Sequence, residues 1–155
     1  MIEKIIKQDL IKLHVKADDW KDAIRLSAQP LLDDDIVTSN YVDEIINSVK
    51  EYGPYFVIAP HVALAHAPGK AGAKELAMGI TVLEPAIKFH NEDNDPVSYV
   101  FTLSAPDNNS HLKAMQELVG LLTDEKFYQV LSDSNESSEI LQFIQDSVLK
   151  NKVEK

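Results

Sequence analysis

His66 lies in a context that suits a nucleophilic imidazole. It follows an apolar run, residues 55–65, and opens into a loop of small residues that begins with Ala67. Histidine has a reference pKa of about 6.5 and is largely neutral near pH 7, so a ring nitrogen can attack phosphorus without an auxiliary base. The small neighbours leave the tip of the ring open. We therefore predict that His66 is a nucleophile that meets a docking protein.

His111 is the second histidine whose surroundings favour chemistry. It follows the polar run of residues 107–110, which predicts a helix N-terminus with His111 in its first turn. Unpaired backbone N–H groups and the positive end of the helix dipole gather there, so a phosphoryl group could be cradled at this end. The His111 ring would donate one more hydrogen bond to the phosphoryl oxygens. If the two rings face each other, His66 is the nucleophile and His111 the oxyanion stabiliser.

The other three histidines have weaker claims to a chemical role. His14 lies in a strand-like run and His90 beside a turn, where we expect structural roles. His61 lies five positions before His66, which does not match the i, i+4 pair of a helical zinc site. A metal hydrolase using His61, His66 and His111 is an alternative, and it would require stoichiometric bound metal.

Composition limits the classes of protein to consider. The 155 residues are 45% apolar, enough for one core, and no uninterrupted apolar run approaches the roughly 18 residues of a membrane span. Residues 1–9 mix charges with apolar residues and do not resemble a secretory signal. The sequence has no cysteine, which excludes disulfides and thiol catalysis. We expect a cytoplasmic protein with no direct membrane insertion.

The charge balance is strongly acidic. Twenty-five acidic and fifteen basic residues give a formal net charge of −10. This charge repels a phosphate backbone, so we predict no nucleic-acid partner. A basic protein surface would be attracted, although an acidic surface also serves solubility alone.

Hydrophobic periodicity and capping residues predict helices at both ends of the chain and strands in the middle. The predicted helices cover residues 20–31, 38–52, 112–122, 127–131 and 140–149, and the predicted strands cover residues 10–15, 56–59, 78–83, 86–89 and 97–103. This order predicts an α/β fold in which a mixed sheet of four or five strands is covered by helices on both faces. We expect a single domain over residues 1–150 and a frayed tail over residues 151–155.

Three stretches of the chain resemble a known family. They are residues 53–60 leading to His66, residues 90–97, and His111 with Leu112 at the start of a helix. The chain resembles the enzyme IIA components of the bacterial phosphoenolpyruvate-dependent sugar phosphotransferase system, in the mannitol and fructose structural class. The similarity is greatest to the ascorbate branch and covers nearly the whole chain.

The resemblance implies a phosphoryl relay without metal or cofactor. The histidine at the position of His66 would take a phosphoryl group from the carrier protein HPr and pass it to a cysteine of enzyme IIB, which serves the membrane permease enzyme IIC. The second active-site histidine of the family falls on His111. The implied activity is that of a phosphotransferase component in the uptake of ascorbate or a related substrate. The alternative is a regulatory module of the same fold that signals through its phosphorylation state and does not feed transport.

Three positions depart from the pattern of the resembled family. Ala65 stands where relatives usually have proline. The ascorbate branch often has an arginine soon after the histidine; this chain lacks it, and Lys70 could supply the missing positive charge. A lysine is a poorer bidentate phosphate ligand than arginine. His61 replaces a small residue and could support the site indirectly.

A docking rim around His66 is a further expectation. Ala63, Leu64, Ala65 and Ala67 would form a small apolar rim that accepts two partner proteins in turn. The alternative is that Ala63 and Leu64 belong to the core of a strand.

Overall fold

A computed structural model describes residues 1–154 of the chain, with side chains described as far as Asn151. In chain order the elements are α1 Ile2–Ile5, β1 Ile11–Val15, α2 Trp20–Asp33, α3 Ser39–Tyr52, β2 Val57–Ala59, β3 Val62–Ala65, β4 Ala77–Ile87, β5 Val97–Ser104, α4 Asn108–Leu121, α5 Glu125–Asp133 and α6 Ser137–Glu154. The predicted α/β class is confirmed. The frayed tail over residues 151–155 stays a prediction, because Lys155 and the side chains of residues 152–154 lie outside the described part.

All five described strands join one mixed sheet in the order β1-β4-β5-β3-β2. β1 is parallel to β4, and β3 is parallel to β5. The other two pairs, β4 with β5 and β2 with β3, are antiparallel. Because β3 and β5 are adjacent and parallel, the loops that leave their carboxyl ends emerge side by side.

Two apolar clusters cover the two faces of the sheet. The first includes residues of α2 and α3 such as Leu31 and Ile45, and the second includes residues of α4, α5 and α6 such as Leu118 and Phe127. Along β3 the side chains alternate between the clusters. A strand buried on both faces is apolar at every position, so it lacks the alternation that marks a half-exposed strand.

The predicted docking rim is wrong, and the alternative of a core strand is right. Ala63, Leu64 and Ala65 are fully buried within β3, and Ala67 is also buried. The physical reason is the central place of β3, which has a strand on each side and an apolar cluster above and below. The chain before His66 thus contains an antiparallel pair of strands, β2 and β3, where the sequence analysis predicted only one strand, at residues 56–59.

The two strands predicted at 78–83 and 86–89 are one strand, β4. Its pairing with β5 is regular up to Val82 and resumes at Ile87. Pro85 lies in the irregular stretch, and proline has no N–H to donate to a ladder. The break predicted from the sequence thus corresponds to a local irregularity in the pairing of one continuous strand, β4.

The predicted starts of α2 and α3 are confirmed by capping hydrogen bonds, whereas α4, α5 and α6 begin at Asn108, Glu125 and Ser137, two to four residues before their predicted starts. The carboxylate of Asp19 accepts from the Asp22 N–H, and the hydroxyl of Thr38 accepts from the Tyr41 N–H. Helix α3 ends at Tyr52, just before Gly53, which is where the helix predicted over residues 38–52 ends. These caps fix the entry of both helices that cover the first face.

We expect Gly72→Ala to destabilise the fold. Gly72 has a φ of +141°, and an added Cβ would lie 1.8 Å from the Thr38 hydroxyl oxygen that caps α3. The strained backbone and the displaced cap should together lower the free energy of unfolding by about 1–3 kcal/mol. Chemical denaturation measures this loss.

Gly120→Ala is the matched control. An added Cβ there meets nothing within 4 Å, and the residue lies inside α4. Because alanine is the better helix former, this variant should gain about 0.5–1 kcal/mol. Equal stability of the two variants would contradict the account of Gly72.

Candidate functional site

The parallel pairing of β3 with β5 brings the two predicted site histidines together. His66 directly follows β3, and His111 lies in the first turn of α4, which follows β5. The register pairs Ala65 with Thr102, so both strands end at the same edge of the sheet. The imidazole centroids are 5.1 Å apart, with an angle of 56° between the ring planes. The juxtaposition that the sequence left conditional is present.

The ring of His66 is held by its own strand. Its Nδ1 lies 2.6 Å from the carbonyl oxygen of Leu64. A carbonyl can only accept, so Nδ1 carries the proton and Nε2 of the neutral ring carries a lone pair. Tyr55 packs edge-on against the ring with centroids 5.8 Å apart, and Phe56 lies 6.2 Å away. One nitrogen is thereby committed to structure and the other is left for chemistry.

Both rings are biased toward the neutral form. Burial lowers the pKa of His66, the hydrogen bond to Leu64 opposes this shift, and the nearby charge of His111 adds to it. Burial also lowers the pKa of His111. Near pH 7 both imidazoles are therefore uncharged, which leaves His66 nucleophilic and His111 able to donate from one nitrogen.

A cleft of about 280 Å³ opens beside the two rings. It is lined by Tyr55, His66, Ala67, Pro68, Gly69, Ala105, Asp107, Asn108 and His111. The two loops that form its walls approach closely, since a Cβ on Gly69 would lie 2.5 Å from the backbone oxygen of Ala105. Only glycine fits at this point, so Gly69 sets the width of the cleft.

Asp107 modifies the predicted cradle at the start of α4. Its carboxylate accepts from the N–H of Ser110 at 2.8 Å and from the Ser110 hydroxyl at 2.8 Å. These bonds lower the pKa of Asp107 and keep it ionised. The N-terminus of α4 thus already binds one carboxylate, which leaves fewer backbone N–H groups and less of the helix dipole available to a phosphoryl group.

Comparison with known proteins identifies the family. The sequence matches the family "Phosphoenolpyruvate-dependent sugar phosphotransferase system, EIIA 2" over residues 4–147. The chain belongs to this EIIA family. The resemblance inferred from the three sequence stretches is therefore confirmed, and the protein is a component of a phosphotransferase system that transfers phosphoryl groups.

Relatives of this EIIA chain extend over nearly its whole length. The ascorbate-specific PTS system EIIA component of Shigella boydii serotype 4 (strain Sb227) is 31% identical over 143 residues, covering 92% of this chain and 93% of the relative. The mannitol-specific cryptic phosphotransferase enzyme IIA CmtB from Escherichia coli has a solution structure with a TM-score of 0.83 and 32% identity, covering 93% of this chain and 98% of that chain.

A second solved structure resembles this EIIA chain in fold alone. It is the complex of enzyme IIA and phosphorylated enzyme IIB of the mannitol system from Escherichia coli. Its match has a TM-score of 0.79 and 21% identity, and it covers 91% of this chain and 99% of that chain.

His61 does not belong to the site of this EIIA chain. It precedes β3 whereas His66 follows it, and the five residue steps along this extended segment separate the two backbones by about 16 Å. The His61 ring instead bonds the carbonyl oxygen of Pro96 at 2.7 Å. The indirect supporting role considered for His61 is therefore wrong, because His61 lies at the opposite end of β3 from His66.

The remaining candidates are also outside the cleft. Lys70 is exposed and does not line it. His14 bonds Glu84 on the surface, and His90 adopts a φ of +65° in its turn. Within the described residues, no three histidine, aspartate or glutamate side chains form a group that could hold a metal ion. The metal-hydrolase alternative lacks the cluster it needs.

No helix in residues 1–154 is long and apolar enough to cross a membrane.

Tyr41 is the site residue that sequence reasoning missed. The sequence placed it only within the helix predicted over residues 38–52. In the structure its hydroxyl lies 2.6 Å from the Leu103 carbonyl oxygen and 3.2 Å from the Ala67 nitrogen. A tyrosine among apolar helix residues gives no sign of where its hydroxyl ends, so no local signal could have identified this contact.

The pKa shifts predict different titrations for two histidines of this EIIA chain. In an NMR titration, His66 should have its midpoint below the ordinary value of about 6.5 because it is buried, and His14 above that value because Glu84 bonds it. The unfolded chain then binds a proton at His66 more readily than the folded one. This contribution to stability should be lost as the pH falls below about 6.5.

Glu84→Gln serves as the control for the titration. It should lower the midpoint of His14 and leave that of His66 unchanged, since Glu84 pairs with His14 on the exposed surface. A His66 midpoint at or above the ordinary value would contradict the assigned burial and tautomer.

Proposed function

We propose that this protein is the phosphocarrier of a sugar phosphotransferase system and that His66 is the residue phosphorylated. His66 would accept the phosphoryl group from phospho-HPr and pass it to a cysteine of enzyme IIB. His111 would stabilise the phosphoryl oxygens during both transfers. The observation that carries this proposal is the hydrogen bond from Nδ1 of His66 to Leu64, which leaves Nε2 as the free nucleophile.

The two transfers balance without a proton leaving the ring. In the first, the phosphorus–nitrogen bond of phospho-HPr breaks as a bond forms between phosphorus and Nε2 of His66. The Nδ1 proton stays on the ring, bonded to the Leu64 carbonyl oxygen. In the second, the bond at Nε2 breaks and phosphorus bonds to the thiolate sulfur of enzyme IIB. Such transfers depend on positioning and on neutralising oxygens, and they need neither metal nor cofactor in principle.

His111 suits the stabilising role because it is neutral and close. Its ring lies 5.1 Å from that of His66, and burial disfavours its charged form. A neutral imidazole still has one N–H to donate to a phosphoryl oxygen. The ionised Asp107 at the same helix start offsets part of the helix dipole, so we assign the main share of the stabilisation to His111.

The partners and substrate are inferred from the relatives. The mannitol enzyme IIA of similar fold was solved in complex with phosphorylated enzyme IIB, and the curated relatives are ascorbate-specific. By analogy this chain would receive its phosphoryl group from HPr, act through enzyme IIB, and serve enzyme IIC in the uptake of ascorbate or a related substrate. All of these steps would take place in the cytoplasm. The net charge of −10 favours partners with basic surfaces.

Phosphorylation in a reconstituted relay tests the proposal. Purified protein is incubated with phosphoenolpyruvate, enzyme I and HPr, and its intact mass is measured. We expect one added phosphoryl group that acid removes and base preserves, present on wild type and absent from His66→Ala. Retained labelling of His66→Ala would refute the assignment. Adding enzyme IIB of the ascorbate type then tests transfer, and labelling without transfer would indicate the regulatory module instead.

We expect His111→Ala to slow the transfer while His66 remains the labelled residue. Loss of one preorganised donor to the developing charge should reduce the rate roughly 10²-fold to 10³-fold. His111→Gln retains an N–H donor, so it should lose less. Quench-flow measurement of the phosphorylation rate distinguishes the two variants. Equal rates for wild type and His111→Ala would remove His111 from the mechanism.

A further inference from the structure

Tyr41 lies at the point where β3 and β5 separate. Its side chain is fully buried and reaches from α3 to the sheet. The hydroxyl donates to the Leu103 carbonyl oxygen at 2.6 Å and accepts from the Ala67 N–H at 3.2 Å. Burial raises the pKa of Tyr41 to about 12, so the hydroxyl stays protonated and keeps donating near neutral pH.

The two groups bridged by Tyr41 would otherwise bond to each other. The β3–β5 register pairs Ala65 with Thr102, and extending it by two residues pairs Ala67 with Ser104. In a parallel ladder the N–H of a residue bonds the carbonyl that precedes its partner, which here is that of Leu103. The N–H of Leu64 points to Phe56 on the other side, so the N–H of Ala67, three residues on, faces β5.

The Tyr41 hydroxyl therefore replaces one rung of the sheet. By standing between Ala67 and Leu103, it holds the strands apart where the ladder would continue. We call this hydroxyl, placed between Ala67 and Leu103, the wedge. His66 directly precedes Ala67, and its side chain lines the cleft instead of lying within an extended β3. A buried hydroxyl that donates and accepts at once fixes both strand ends.

We propose that Tyr41 is a positioning residue for His66: its hydroxyl wedge between Ala67 and Leu103 ends the β3–β5 ladder and sets the orientation of the His66 ring. It acts through the backbone and does not touch the phosphoryl group. The orientation is defined by geometry alone, and only its effect on transfer rests on the proposed function.

Tyr41→Phe removes the wedge and keeps the ring. We expect the Ala67 N–H to approach the Leu103 carbonyl, the ladder to lengthen, and His66 to lose its bond to Leu64. In unphosphorylated protein the ¹⁵N shifts of the His66 ring should then move from the pure Nδ1–H tautomer toward the mixture seen for an exposed histidine. The phosphorylation rate should fall roughly tenfold to a hundredfold, since small misplacements of reacting groups are costly.

Tyr128→Phe is the matched control. Its hydroxyl donates to the Leu122 carbonyl at 2.9 Å on the other face of the sheet. It should cost similar stability, about 1 kcal/mol for a lost hydrogen bond, and leave the His66 ring shifts and the phosphorylation rate unchanged. If Tyr41→Phe gave the same ring shifts and rate as Tyr128→Phe, the hydroxyl would be only structural and the proposal would be overturned.

A backbone variant keeps the proposal testable if Tyr41→Phe fails to fold. Replacing Ala67 by lactic acid turns its amide into an ester, which removes the N–H but preserves the bond from Tyr41 to Leu103. Without its N–H, Ala67 is no longer held by the Tyr41 hydroxyl and cannot bond Leu103 either, so the ladder should not lengthen. We expect the His66 ring shifts to move toward the tautomer mixture because Ala67 is released, and unchanged shifts would count against the wedge. Changed ring shifts with a normal phosphorylation rate would support the positioning and count against His66 as the phosphorylated residue, so the two proposals fail separately.

Discussion

The parallel, in-register pairing of β3 with β5 is the constraint on which the site depends. Both strands end at one edge of the sheet, and each is followed by the segment that carries one histidine. A shift of the register by one residue would reverse every side chain of β3 between the two apolar clusters. Because both clusters are closely filled, the distance between His66 and His111 is fixed by the core of the protein and not by the loops alone.

The site is neutral within an acidic chain. The sequence has a net charge of −10, yet both rings that meet at the cleft have their pKa lowered by burial. The one described carboxylate that lines the cleft, Asp107, is bound to Ser110 at the start of α4. Charge on the rest of the surface is thus separated from the chemistry, where a protonated imidazole would have no lone pair to use.

Much of this arrangement is readable from the sequence because it is local. Asp19, Thr38 and the polar run before His111 are capping signals, and each marks a helix that the structure contains. The small residues after His66 correctly indicated a loop. The predicted fold followed from the order of these elements, since helices that flank a group of strands must cover its faces.

What could not be predicted depends on contacts between distant residues. The apolar run before His66 holds both β2 and β3, and a continuous run gives no periodicity from which to separate two buried strands. The two strands predicted at residues 78–83 and 86–89 are one continuous strand, β4. The Tyr41 hydroxyl meets Ala67 and Leu103, which are 26 and 62 residues away in sequence. No pattern within one element contains such information.

The bond from His66 to the Leu64 carbonyl has a consequence for the order of events. It fixes the line along which Nε2 can be approached, and it does so within the chain itself, before any partner arrives. Under the proposed function, donor and acceptor must each bring their reacting atom along that same line. They therefore compete for one face of the molecule, a complex of all three proteins is excluded, and the relay must alternate between its partners.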